Sequence, residues 1–319
     1  MAFYDIFNGD ADGLCALHQL RMVEPRAATL VTGAKREVQL LRRVSPDRTD
    51  RLTVLDISLD TNRDDLHRVL RSGASCVWID HHYTGAPIEH GGLHVMIDSA
   101  PGICTSLIVD RMLGGRHRKW AVVAAFGDNL PDSAMKAAQV LQLNHAALES
   151  LRRLGQRLNY NAYGDSVEDL HFHPVELYRR ISRYTDPLQF MRDDDAFRQL
   201  DSGFRQDLKL ALSVTPLQSG DGVHVVQLPD LPWARRASGE LANHLAREKK
   251  HRAVAVLTPI TDGNRVSVRA PLTKPTGADR LCLKFDTGGG RPSAAGINLL
   301  REAEMDRFLG ALQTAFGGA

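Results

Sequence analysis

What this chain has little of narrows its class before any motif is considered. It carries four cysteines in 319 residues, Cys15, Cys76, Cys104 and Cys282, and no CxxC pair. That argues against a disulfide framework or a cysteine-built zinc site and leaves reduced thiols in a reducing compartment as the expectation. Charge of one sign is not in excess: 40 Lys and Arg stand against 38 Asp and Glu, a net +2. A protein gripping long duplex DNA through many phosphates needs more than that, whereas a small anionic substrate can be held by a few local cations. No apolar run approaches the roughly 18 residues of a membrane span. Asp5, Asp10 and Asp12 interrupt the N-terminus, so no signal peptide is read there and a cytoplasmic location is expected. No long-period repeat or low-complexity tract is found.

What is present is enough for a substantial core, with 43% hydrophobic residues, and the length allows two domains or one large one. Over residues 1–135 short apolar runs alternate with amphipathic ones. Ala2–Phe7, Ala28–Thr32, Leu52–Ser58, Ala74–Ile79 and His94–Ile97 read as strands. Leu14–Val23, Lys35–Val44, Asn62–Ser72 and Thr105–Leu113 read as helices, the third capped by Gly73. A further apolar run, Trp120–Phe126, leads into Gly127-Asp128-Asn129. This alternation predicts a parallel sheet with helices on both faces. Charge-dense helical runs dominate residues 136–209 and predict a helical connector. Residues 210–319 predict a second, smaller α/β domain, with strands at Val223–Gln227, Ala253–Thr258 and Arg265–Arg269 and a helix over Ser238–Glu248. A glycine-rich loop over 284–296 opens into a helical segment, and a last helix spans Glu302–Phe316.

The chemistry is concentrated at the ends of the N-terminal runs. The first strand runs into Asn8-Gly9-Asp10-Ala11-Asp12-Gly13. Two carboxylates there sit one residue apart at the C-terminal end of a strand, where open α/β sheets keep their ligand sites. Carboxylates so close repel each other unless a cation lies between them. Asp56 ends another strand, Asp80-His81-His82 a third, and Asp128 follows the Trp120–Phe126 run. Each alone has an ordinary structural reading as a turn, a helix cap or a structural His pair. Their recurrence at the ends of successive units favours a shared site. Carboxylate oxygen with imidazole nitrogen suits Mn²⁺, Zn²⁺ or Fe²⁺, and carboxylate alone would suit Mg²⁺. There are ligands enough for two ions, which together can activate a water and neutralise a phosphoryl group. The residues therefore point to a phosphoester hydrolase.

In order and rough spacing, Asp10-Ala11-Asp12-Gly13, Asp56, Asp80-His81-His82 and Gly127-Asp128 resemble the four motifs of the DHH phosphoesterase superfamily. Gly288-Gly289-Gly290 to Ala295-Gly296 resembles the glycine motif of the DHH-associated C-terminal domain, so the likeness spans nearly the whole chain. It implies a parallel-sheet catalytic domain over 1–135, the connector, and a substrate-binding domain over 210–319, with the active site in the cleft between domains. It implies Mn²⁺ as the metal, as two ions, with Mg²⁺ or Co²⁺ as substitutes. By motif, Asp56 would bridge the ions, Asp10 would serve one, and Asp12, His81 and Asp128 the other. Asp80 would orient an imidazole, and His82 would face the substrate phosphate or assist one ion. Gly288, Gly289, Gly290, Arg291, Arg269 and Lys284 would bind substrate, the glycines by close approach of backbone to an anion before a helix.

Two departures from the family pattern stand out. Many members carry a His shortly before the first Asp, where this chain has Ile6-Phe7-Asn8-Gly9, so that ion lacks a ligand which Asn8, a water or His82 would have to supply. Many also carry a His directly after the three glycines, where this chain has Arg291, a cation with a bidentate fork. His171-Phe172-His173 lies apart from the motifs and reads as a surface loop, and Trp120, Trp233 and Tyr160 read as packing residues. The balanced charge lacks a basic track for a long single strand. Small nucleotides remain: short oligonucleotides or linear dinucleotides first, a signalling nucleotide such as (p)ppGpp or a cyclic dinucleotide second, and a catalytically weak nucleotide sensor third. No membrane or long-duplex partner is expected, and a homodimer is left open.

Overall fold

The structure is a computed structural model describing residues 1–318. It divides into two compact units, Met1–Ser202 and Gly203–Ala319.

The first unit is built on β1 (Phe3–Phe7), α1 (Ala11–Val23), β2 (Thr29–Val31), β3 (Arg51–Leu55), α2 (Arg63–Arg71), β4 (Ser75–Asp80) and β5 (Leu93–Ile97). The five strands form one sheet in the order β2-β1-β3-β4-β5, and every neighbouring pair is parallel. Alternate residues feed two cores, as strand geometry requires. Phe7, Leu55 and Ile79 face one core with α1, while Ile6, Val54 and Trp78 face the other with Leu66, Val69 and Leu70 of α2. Phe7 pairs with Leu55 and Leu55 with Ile79, so β1, β3 and β4 end level with one another. In a parallel sheet of order 2-1-3-4-5 the crevice for ligands opens at the carboxyl ends of strands 1 and 3, where the connections diverge. All four cysteines are buried and free.

Helices α3 (Thr105–Met112), α4 (Arg118–Gly127), α5 (Pro131–Ala138), α6 (His145–Asn161), α7 (Pro174–Ile181) and α8 (Pro187–Asp193) follow, and α9 (Asp195–Leu212) contains the division between the units. The helical stretch predicted as a connector over 136–209 therefore belongs to the first unit as far as Ser202, with Leu151, Leu154, Leu158, Leu177 and Phe190 in the same core as Phe7. Two glycines allow the close packing here. A Cβ on Gly155 of α6 would lie 2.1 Å from the Val123 carbonyl oxygen, and one on Gly127 would lie 2.4 Å from the Ala11 Cβ of α1. The ends of α1 and α4 thus meet through residues adjoining Asp10, Asp12 and Asp128.

One expectation is corrected in this unit. Residues 35–44 are not a helix: they run as an irregular segment with one 3₁₀ turn, Leu41–Arg43. Of Val38, Leu41 and Val44, spaced as one helix face, the last two are buried and Val38 is half-buried, but the Lys35 amide donates to the Ala162 carbonyl at 2.9 Å instead of to the preceding turn. The apolar run Trp120–Phe126, whose type the sequence left open, is the body of α4, buried along its whole length, so Asp128 follows a helix.

The second unit is a six-stranded mixed sheet, β6 (Gln218–Gly220), β7 (Val223–Gln227), β8 (Ala253–Ile260), β9 (Gly263–Arg269), β10 (Gly288–Arg291) and β11 (Ala294–Leu300), in the order β10-β11-β9-β8-β7-β6. Helix α10 (Pro232–Glu248) covers one face through Ala234, Leu241 and Leu245 against Val226, Val254 and Val256. Helices α11 (Ala278–Cys282) and α12 (Met305–Phe316) cover the other. The glycine-rich stretch does not open into a helix. Gly288–Arg291 is an edge strand paired antiparallel with β11, and a Cβ on Gly288 would lie 1.8 Å from the Cys282 carbonyl oxygen.

A candidate metal centre at the sheet edge

Asp10 is the N-cap of α1. Its Oδ1 accepts from the amides of Asp12 at 2.9 Å and Gly13 at 3.1 Å, the standard way a helix start satisfies its first donors. Asp12, in the first turn, points toward α3: its two oxygens accept from the amides of Thr105 and Ser106 at 2.7 Å each. The Ser106 hydroxyl returns a bond to the Asp12 carbonyl at 2.9 Å. These ties lock the two carboxylates of the DxD pair in different directions.

Asp56 follows β3 with φ of +59°, a left-handed conformation rare for any residue but glycine and tolerated best by Asn and Asp. Its amide is held by the Ile79 carbonyl at 3.1 Å, and its Oδ1 accepts from the Thr105 hydroxyl at 3.1 Å. Asn129, directly after Asp128, has φ of +58°. Strained residues at or beside the two acids fit a site whose surroundings over-determine its geometry.

The His81 Nε2 lies 3.4 Å from Asp56 Oδ1 and 3.9 Å from Asp128 Oδ2. Ligand atoms of Asp12, His81 and Asp128 all lie within 4.8 Å of one another, as do those of Asp56, Asp80, His81 and His82. His82 is oriented separately, its Nδ1 sitting 2.7 Å from Asp80 Oδ1. The carboxylate that was to orient an imidazole therefore serves His82, not His81. A carboxylate can only accept, so the ring donates from Nδ1 and presents Nε2 outward.

Electrostatics show what the cluster lacks. Burial, reinforced by Asp12, Asp10, Asp128 and Asp80, pushes the Asp56 carboxyl well above the usual range. Burial also raises Asp128, with Lys35 opposing and Asp12 and Asp10 adding to the rise. Crowded carboxylates with raised affinity for protons are matched by a divalent cation. The donor set of carboxylate oxygens with one imidazole fits Mn²⁺ or a similar ion, so Asp12, Asp56, His81 and Asp128 are the residues fitted to hold it. For His82 burial alone would lower the imidazole, but the Asp80 hydrogen bond and charge outweigh it and raise the value.

The remaining residues around Asp10 do something the sequence did not reveal. The Lys35 ammonium is 2.5 Å from Asp10 Oδ2, 3.0 Å from Asn159 Oδ1 and 3.6 Å from Asp128 Oδ1. Burial disfavours its charged form, but Asp10, Tyr163 and Asp128 more than offset that and raise its pKa well above the ordinary lysine value. Asp10 is lowered despite its burial, chiefly by Lys35. Asn8, expected as a ligand or substrate contact, is instead engaged with the backbone: its Oδ1 accepts from the Asp10 amide at 3.2 Å and its Nδ2 donates to the Lys35 carbonyl at 3.3 Å. Lys35, Asn159 and Thr105 were not singled out in sequence because their roles arise from contacts across many residues with no local pattern.

In the second unit, Ala294 pairs with Arg269 on one side and Arg291 on the other. Directly opposed residues share a face, so the two arginines project from one side of the sheet, two strand spacings or about 10 Å apart. Gly289, Gly296 and Ser267 pair across the same three strands and form a floor of small residues beside them. The Arg269 Nε donates to Asn243 Oδ1 at 2.9 Å. Lys284 is elsewhere, lining a cavity of about 380 Å³ with His251, Lys274 and Arg280 that neither arginine lines. His171 Nε2 lies 2.8 Å from the Tyr160 hydroxyl, and His173 caps α7 through the Val175 amide at 3.1 Å, so both have structural roles.

No family model matches the chain, and no curated protein matches it in sequence. Solved structures do. RecJ from Thermus thermophilus in complex with Mn²⁺ superposes with a TM-score of 0.65 at 16% identity, covering 98% of this chain and 51% of that one. The chain therefore spans about half the length of that RecJ. An exonuclease RecJ bound to manganese gives 0.58 at 16% identity, covering 98% of this chain and 89% of that one. PggH from Vibrio cholerae, a pGpG-specific phosphodiesterase, gives 0.56 at 13% identity, covering 98% of both chains. The chain thus has the fold shared by these RecJ structures and PggH.

Proposed function

We propose that this protein is a metal-dependent phosphoesterase that hydrolyses small nucleotides, with short oligonucleotides and linear dinucleotides as the substrate class. The observation that carries the reading is the convergence of acids on His81 at the carboxyl edge of the sheet: ligand atoms of Asp12, His81 and Asp128 are close enough to share an ion, and the His81 Nε2 lies 3.4 Å from Asp56 Oδ1. A bound divalent ion would polarise a phosphoryl oxygen and supply an acidified water at neutral pH. The chain's own residues do the rest. Asp12, Asp56 and Asp128 hold position through the ties to α3, the left-handed turn and the α4 end. His82, its Nδ1–H bound to Asp80 and its protonated form favoured by that carboxylate, would as an imidazolium present Nε2–H to donate a proton to a leaving oxygen or a hydrogen bond to a phosphate. Its side chain keeps 45% exposure, which leaves it open to substrate. Arg269 and Arg291 beside the glycine floor suit an anionic nucleotide with a flat base.

A dinucleotide is favoured over a long strand because the chain and the pGpG-specific phosphodiesterase PggH match over 98% of both lengths, and because net charge is nearly balanced. The second reading, a signalling nucleotide such as (p)ppGpp or a cyclic dinucleotide, uses the same residues. Purified protein with Mn²⁺ is to be assayed against pNpN dinucleotides, a labelled oligomer series, cyclic dinucleotides and guanosine tetraphosphate. Turnover of the dinucleotides and shortest oligomers is expected. Turnover confined to the tetraphosphate or the cyclic compounds would replace the first reading by the second, and none at all would reduce the protein to a nucleotide sensor.

A further inference from the structure

Asp10 is the acidic residue of the cluster that belongs to neither group of ligand atoms close enough to share an ion among the described residues. Its environment explains why. Oδ1 is engaged by the Asp12 and Gly13 amides, as the Asp12 oxygens are by the amides of Thr105 and Ser106, but Oδ2 carries a cation, the Lys35 ammonium at 2.5 Å. A divalent ion bound about 2 Å from that oxygen would lie against the ammonium. The lysine is not a stray side chain that swings in from solvent. Its amide donates to the Ala162 carbonyl at 2.9 Å, its carbonyl accepts from Asn8 at 3.3 Å, and its Nζ is held a second time by Asn159 at 3.0 Å. The two groups of ligand atoms share His81, whose Nε2 lies 3.4 Å from Asp56 Oδ1 of one group and 3.9 Å from Asp128 Oδ2 of the other, and His82 is tied to Asp80. The arrangement thus offers one position for an ion, around His81 Nε2, and one position already filled by a fixed positive charge.

We infer that Lys35 is a resident cation standing where a second divalent ion would otherwise sit, so that this protein works with a single metal ion on Asp12, Asp56, Asp128 and His81. The inference rests on the phosphoesterase reading above and departs from the two-ion site that the family resemblance implies. It also gives Asn8 a purpose. The residue in the stretch before Asp10 is not a substitute ligand but the clamp that sets the Lys35 backbone. An ammonium can neutralise charge and donate hydrogen bonds but cannot acidify a water as a metal does, so the two halves of the site are chemically unequal.

Metal counting on the full chain decides it and needs no substrate. Metal-free protein is titrated with Mn²⁺ by calorimetry and analysed for bound metal after desalting. One ion per chain is expected for the wild type, and a second, weaker one is expected to appear in Lys35→Ala, where Asp10 has lost its cation. Lys35→Met, with its longer side chain, repeats the measurement should the alanine variant fail to fold by circular dichroism. Anomalous diffraction from Mn²⁺-soaked wild-type crystals provides a variant-free readout: one peak, with Lys35 Nζ on Asp10, is expected. Two ions in the wild type overturn the inference and leave the phosphoesterase reading standing. One ion in the wild type and in every folded Lys35 variant also overturns it, because the lysine would not then be what replaces the second. No ion in the wild type overturns the inference and the metal-dependent reading together.

Discussion

Replacing Asp56 by Asn should make the metal-free protein more stable while removing a metal ligand. Asn accepts the left-handed backbone that Asp56 adopts at φ of +59°, and its amide oxygen can still accept from the Thr105 hydroxyl. Shape is kept and one buried charge is lost. Burial and the four neighbouring acids raise the Asp56 carboxyl above its ordinary value. An acid whose folded pKa is raised contributes stability that is complete below the unfolded value and lost as pH rises through the folded one. At about pH 8, in chelator, folding of the wild type therefore carries a penalty at position 56, for holding the carboxyl protonated or burying its charge, that the variant lacks. The variant should be more stable by about 1–4 kcal/mol, the range met when buried ionic groups give way to neutral ones of similar volume. For a unit of this size each kcal/mol corresponds to about 2–4 °C in Tm.

The gap should close as pH falls toward the unfolded Asp value of about 4. Other buried acids, Asp128 among them, titrate in both proteins, so the difference isolates position 56. With Mn²⁺ the order inverts. At roughly one hundred times its Kd the ion stabilises the wild type by about 2.7 kcal/mol, and the variant, short of an anionic ligand, gains less. Trp78 and Trp120 are fully buried in the first unit, so tryptophan fluorescence follows its melting, with and without Mn²⁺, across pH. The two units can unfold separately, which makes a probe confined largely to one of them preferable to calorimetry alone. A metal-free variant no more stable than wild type at about pH 8, or a gap that persists in acid, would refute the view of this edge as a destabilised cation site.

Two further substitutions test the flanks. Arg291→Ala should raise KM more than it lowers kcat, as loss of uniform substrate binding does; steady-state kinetics showing an unchanged KM would remove Arg291 from the substrate face. Gly155→Ala would drive a Cβ to 2.1 Å from the Val123 carbonyl oxygen, and because backbone must move, a loss of about 1–3 kcal/mol is expected. It should also weaken Mn²⁺ binding by displacing the α4 end that carries Asp128, and a calorimetric titration with wild-type affinity would show that α6 does not position that residue.

How much of the site was legible depended on where each residue's geometry comes from. Asp10, Asp12, Asp56 and Asp80 could be placed together because parallel strands joined by helices end on one edge, and Phe7, Leu55 and Ile79 lie in register there. Asp128 was found by motif although its element was not: a helix buried all round, as α4 is, loses the 3.6-residue period and cannot be told from a buried strand. The glycine run hid its strand for a related reason, since residues without side chains show no alternation and only pairing with β11 reveals the ladder. Lys35 was invisible because it acts at separations of 25 residues to Asp10 and 124 to Asn159. The apolar residues after it are spaced like a helix face, and they are buried without forming one. Seen along the chain, the stretch before Asp10 simply lacks a ligand. In the fold, Asn8 joins the Asp10 amide to the Lys35 carbonyl, so the missing ligand and the inserted cation are one structural fact, in which the residue that cannot hold an ion positions the charge that takes its place.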